Sequence, residues 1–192
     1  MGHREDLLAG ARRCLEERGY ARTTARDLVA ASGTNLASIG YHFGSKEALL
    51  NEAISASFQE WAERVRALAL AAVPTDRSGD PADLLMASWH AIRASFGEYR
   101  GLSVAFIEAL AQAERQPELR ALLAATYQRS RDQVAAMITE LFSELDGPQA
   151  TALATLEIAL CDGLLIQWLL DPDATPSGEQ LANALTAVLT PS

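Results

Sequence analysis

Three observations predict that this chain is all-α. Every apolar pattern recurs at three- and four-residue spacing, the period of a helix face. No run alternates apolar and polar residues as a half-buried strand does, and no internal repeat or low-complexity tract interrupts the pattern. Gly, Pro, Ser and Asp cluster between the periodic segments, which marks the turns. Short helices come first and longer ones follow, so the expected architecture is an N-terminal three-helix unit ahead of a C-terminal helical bundle.

The first helix carries Leu7, Leu8, Ala11, Cys14 and Leu15 on one side and stops at Gly19. The second starts at Thr24, because Thr24-Ala25-Arg26-Asp27 puts a carboxylate three residues after a hydroxyl cap. Its apolar face is Leu28, Val29 and Ser32, and Gly33 ends it. Asn35 caps a third, short helix that holds Ile39 and Phe43 at i, i+4, and Gly44 breaks it. Ser45 caps a fourth helix that runs as far as Val73. The stretch VPTDRSGDPAD, from Val73 to Asp83, reads as a loop. Helices are then expected at about 82–98, 101–115, 117–144, 149–170 and 178–189.

Composition sets bounds on what such a chain does. Hydrophobic residues make up 49%, enough for a real core. Cys14 and Cys161 stand apart with no metal-type spacing, which suits a reduced, cytoplasmic setting. No leader is visible in MGHREDLLAG, and the longest apolar runs are interrupted at Asp162 or stop at Asp171, so no membrane span is expected. His3, His42 and His90 share no ligand spacing, and no catalytic motif is present, so neither enzyme nor cofactor chemistry is expected. Net charge is −9 and unevenly spread. Residues 1–50 sum to +1 and the remainder to −10, an acidic body behind a near-neutral front.

The second and third helices meet at the short turn ASGTN, the spacing of a helix-turn-helix. In that motif the second of the two helices enters the DNA major groove. Ile39 and Phe43 are expected to face inward. Leu36, Ala37 and Ser38 then face base edges, Ser38 by hydrogen bonding and Leu36 or Ala37 against a thymine methyl. Tyr41 and His42, at the end of the helix, and Lys46, the only lysine, are placed for phosphate oxygens, and the next helix N-terminus attracts the same anions.

The run ARRCLEERGYARTTARDLVAASG followed by NLASIGYHFGSKEALL resembles the DNA-binding domain of the TetR family of bacterial transcription regulators, over about residues 4–50. The resemblance implies an all-α repressor whose residues 1–47 bind DNA and whose residues 48–192 bind a ligand and dimerise, with the fourth helix, from about residue 46, linking the two. It implies a homodimer on a palindromic double-stranded operator, released by a small-molecule effector. Carried over by position, Thr24 and Arg26 touch phosphates, the capping Asn35 belongs to the DNA-facing set with Leu36, Ala37 and Ser38, and Tyr41, His42 and Lys46 hold the backbone. One departure stands out: Gly40 occupies a position where the family usually has tyrosine.

Behind this unit, the helix from Ala150 to Leu170 is apolar on more than one face. Leu153, Leu156, Leu160, Leu164 and Trp168 form one stripe, and Ala159, Ile166 and Leu170 another. A helix apolar nearly all round needs cover on both sides, which a second subunit supplies. Leu181, Leu185 and Val188 of the last helix would complete a four-helix interface, where similar repressors dimerise. Met86, Trp89, His90 and Phe96 on one helix, Phe106 and Tyr127 on the next two, and Asp162 within an apolar helix are the candidate effector lining. His90, on an otherwise apolar face, is expected to need a polar partner.

Overall fold

Helix α1 (His3–Arg18) carries Glu5 and Asp6 in its first turn and Arg18 in its last, charges that complement the helix dipole. It stops at Gly19, whose φ of 80° only glycine adopts readily. Helix α2 (Ala25–Ser32) opens on the Thr24–Asp27 capping box and closes on Gly33 in the left-handed region. Helix α3 (Leu36–Phe43) is capped by Asn35, and α4 (Lys46–Ala72) begins after Gly44. The computed structural model describes residues 2–72, 89–142 and 144–189, and these are helical wherever they are regular. The all-α expectation therefore holds for them.

A helix α5 occupies residues 89–95, followed by α6 (Arg100–Ala113), α7 (Pro117–Leu141), α8 (Gly147–Leu170) and α9 (Gly178–Leu189). The expected loop from Val73 to Asp83 and the expected start of the next helix lie outside the described residues. Helix α8 starts earlier than expected, because Asp146 and Gln149 form a second capping box and Pro148 fits the first turn. The helix also runs straight past Asp162, giving 24 residues long and apolar enough to cross a membrane by length and composition. That corrects the expectation of no such segment: one acidic residue does not shorten a helix.

The chain divides into two compact units, Met1–Glu60 with Tyr99–Ser130, and Trp61–Glu98 with Arg131–Ser192. In the first, Leu7, Leu15, Leu28, Leu49, Leu50, Ile54 and Leu119 are fully buried. Helices α1 and α2 touch closely at Gly10, where a Cβ would come within 2.9 Å of the Ser32 backbone nitrogen. The Arg13 guanidinium also donates to the Ala31 carbonyl. Helix α6 packs on α1 just as tightly, with Gly101 against the Glu16 backbone, and the Glu108 carboxylate accepts from the Ala21 N–H at 3.0 Å. Phe58 and Phe106 stack at 4.7 Å with Tyr127 tilted 5.8 Å from Phe58, and the buried hydroxyls of Ser55 and Thr126 meet at 2.8 Å.

The second unit is built on Trp89, Ile92, Phe96, Leu164 and Leu165, with Trp61, Val65, Leu160, Cys161, Trp168, Leu169 and Leu181 packed around them. The Trp61 indole N–H donates to Ser95 Oγ at 2.8 Å, and Arg93 donates to the Pro172 carbonyl at 3.2 Å. A smaller cluster joins Ile138, Ala150 and Ala154 with Val134, Phe142 and Leu145.

Candidate nucleic-acid interface

Helix α2 is fixed at its start by reciprocal bonds. The Thr24 hydroxyl accepts from the Asp27 N–H at 3.2 Å and donates to Asp27 Oδ2 at 2.6 Å, while the Thr24 N–H donates to the same carboxylate at 2.9 Å. These bonds, with the Arg18 guanidinium 3.4 Å away, hold the Asp27 carboxyl below the usual carboxylate range. The hydroxyl proton of Thr24 is thereby committed to Asp27. What this end of α2 can still offer an anion is its first-turn backbone N–H groups and the exposed Arg26 side chain.

Helix α3 presents a strongly asymmetric surface. Ile39 is buried, as expected, while Phe43 is only partly covered, lying under the Arg4 guanidinium 5.2 Å from its ring centroid. On the other side Leu36 is 58% exposed and Tyr41 85% exposed, two large side chains presented outward from one short helix. Ala37 and Gly40 complete that face. His42 is half-buried, with its ring edge-on to Tyr41 at 4.8 Å.

Ser38 requires a correction. It was expected to face bases, but it is 8% exposed, with its hydroxyl 3.3 Å from Asn35 Oδ1 and 3.4 Å from His3 Nδ1. Asn35 is likewise occupied as a cap, its carbonyl oxygen accepting from the Ser38 N–H at 3.0 Å. Lys46 reaches back to donate to the Thr23 carbonyl at 3.1 Å and sits 3.4 Å from Glu47, leaving ammonium protons beside the start of α2. Sequence reasoning missed His3 and Arg4, which brace α3 from the first turn of α1. Arg4 also pairs with Glu52 on α4. Local spacing carries no signal for such a brace.

The expected effector residues separate into two packings. Trp89 and Phe96 lie in the core of the second unit, while Phe106 and Tyr127 belong to the aromatic stack of the first. His90 is exposed, which overturns the expectation that it faces an apolar surface, since α5 turns Trp89, Ala91 and Ile92 inward instead. Met86 lies outside the described residues. Asp162 is half-buried beside Cys161, whose thiol is pushed up to about 12 by burial and then by Glu157 and Asp162. Burial also raises the Glu157 carboxyl. The Trp89 indole N–H is buried without a hydrogen-bond partner among the described residues.

The expected subunit stripe is divided too. Leu164 is buried within its own chain, so its side chain serves that core, and Leu160, Trp168 and Leu181 pack partly buried against it. Leu153, Leu156 and Val188 are exposed, together with Ile166 and Leu170. The side chain of Leu185 lies outside what is described.

Residues 7–53 match the family described as bacterial regulatory proteins, tetR family, and residues 81–190 match the one described as BetI-type transcriptional repressor, C-terminal. Among curated proteins, the HTH-type transcriptional repressor AcnR of Corynebacterium efficiens is 45% identical over 49 residues, 26% of each chain. The chain thus spans about a quarter of the length of that relative. Among solved structures, Salmonella enterica GusR superposes with a TM-score of 0.69 at 22% identity, covering 97% of this chain and 95% of that one. The multidrug binding protein EbrR, complexed with proflavin, gives 0.68 at 23% identity, covering 96% and 98%. At these identities the two structures share the fold.

Proposed function

The chain belongs to the TetR family of bacterial regulatory proteins, and from that premise we propose that it is a cytoplasmic transcriptional repressor that binds a palindromic operator as a homodimer and is released by a small-molecule effector. The observation that carries the DNA half of this reading is Tyr41, 85% exposed at the end of the second helix of a helix-turn-helix. Beside it, Leu36 and Ala37 meet base edges, and Arg26, His42 and Lys46 meet phosphates. Residues 1–47 do this work, and residues 48–192 bind the effector and dimerise.

The effector half draws on the Trp89 indole, a buried donor without a partner among the described residues, held among Ile92, Phe96 and Leu164. Such a donor costs about 1–3 kcal/mol unless satisfied, and an effector carrying an acceptor would satisfy it. Helix α4 is the lever, since its residues up to Glu60 belong to the first unit and those from Trp61 to the second. The effector acts only through its differential affinity for the DNA-competent and DNA-incompetent states.

The test is a selection of bound fragments from genomic DNA, followed by titration of the best fragment at two salt concentrations. Wild-type protein should bind saturably, with affinity falling steeply as salt rises. Tyr41→Ala should bind about tenfold more weakly at an unchanged melting temperature, because the ring makes little contact with its own fold. Undiminished binding by Tyr41→Ala removes that residue from the interface, and the absence of any selected fragment removes the repressor reading.

A further inference from the structure

Helix α3 contains a glycine that the chain itself does not require. Gly33 and Gly44, which flank the helix, have φ of 67° and 79°, where glycine is needed. Gly40 lies inside the helix with no positive φ, and a Cβ built there would meet nothing within 4 Å. Neither backbone geometry nor packing excludes a side chain, yet glycine weakens a helix interior relative to alanine. The fold itself therefore supplies no requirement for glycine at this position.

Its neighbours show what the missing side chain leaves open. Gly40 is exposed and shares a face with Leu36, Ala37 and Tyr41 by helical spacing. Two hydrogen-bonding groups near that face are withdrawn from it. The Ser38 hydroxyl is turned inward to Asn35 and His3, and the Asn35 carbonyl oxygen serves as a cap. The centre of the face is left as an apolar surface around a bare backbone.

Building on the operator-binding reading, we propose that Gly40 is a specificity-determining residue. Its missing side chain lets α3 lie against the base edges in the major groove. Leu36 and Ala37 then read thymine 5-methyl groups by apolar contact, where a wider helix would stand off. Sequence is recognised chiefly by methyl groups, and Tyr41 and the basic residues fix the register on phosphates.

The experiment uses the operator fragment selected by the wild-type protein. Gly40→Ala should melt at or above the wild-type temperature while binding that operator about tenfold more weakly. Its affinity for unrelated DNA and its salt slope should not change, because phosphate contacts are untouched. Independently of any variant, replacing single operator thymines by deoxyuridine removes one methyl each. At the positions facing α3, this should weaken wild-type binding about fourfold per methyl, as expected for one buried methyl group. Equal or tighter operator binding by Gly40→Ala overturns the close approach, and indifference to every deoxyuridine replacement overturns the methyl readout. Failure to select any fragment with wild-type protein overturns the operator reading itself, and this inference with it.

Discussion

Asp27 shows how one side chain ties helix geometry to pH. Its carboxylate accepts from both the hydroxyl and the backbone N–H of Thr24, which holds the folded-state carboxyl below its usual range. An unfolded aspartate titrates at about 3.9. Between the folded and unfolded values the unfolded chain binds more protons, so stability rises with pH there. The contribution is complete above the unfolded value and is lost as pH falls through the folded one. Thermal melting of the wild type and Asp27→Asn should therefore show a gap at neutral pH that closes as the solution is acidified below about pH 4. A gap of constant size down to lower pH would mean that Asp27 acts by shape and hydrogen bonding alone, without its charge. The same capping box fixes the first turn of α2, so on the operator-binding reading its loss should also weaken DNA binding.

At the scale of elements, α1 and α6 meet backbone to backbone. A Cβ on Gly101 would come within 2.5 Å of the Glu16 carbonyl oxygen, a backbone atom that cannot rotate away. Gly101→Ala should force the two helices apart and destabilise by about 1–3 kcal/mol, the range for overpacking. Urea unfolding measures it, and an unchanged or raised midpoint would show that α6 does not bear closely on α1. This contact also marks the limit of what the sequence reveals. Helix starts were legible wherever the signal is local, as at Thr24–Asp27 and Asn35, because a cap and its partner lie within one turn. The outward face of α3 was legible at Leu36 and Tyr41 from the spacing of Ile39. The inward turn of Ser38 was not, since it depends on His3 arriving from the other end of the unit. His90 was misread for the same reason: period alone does not say which of two adjacent faces meets the core.

For the molecule as a whole, the outer face of α8 raises the largest unanswered demand. Only 22% of its most apolar window is buried within one chain, although the helix is apolar enough to suit a membrane. Leu156 is 65% exposed, Ile166 48% and Leu170 82%, and on α9 Val188 is 77% exposed. Burying a leucine that is otherwise in water contributes about 1.5–3 kcal/mol, so covering this row in a homodimer is a substantial driving force. The inner row is different, because Leu164 and Trp168 already serve the chain's own core. Charge introduced on the outer row should therefore separate subunits without unfolding them. Leu156→Glu with Leu170→Glu should sediment as a monomer where the wild type sediments as a dimer. Its melting temperature should lose the dependence on protein concentration that dimerisation imposes. Operator affinity should fall steeply as well, because each half-site would then be bound without the effective concentration that the linked partner supplies. A wild-type chain that sediments as a monomer but partitions onto lipid vesicles would assign the same apolar row to a membrane surface. Retention of the dimer by the double variant would place the interface elsewhere on the chain.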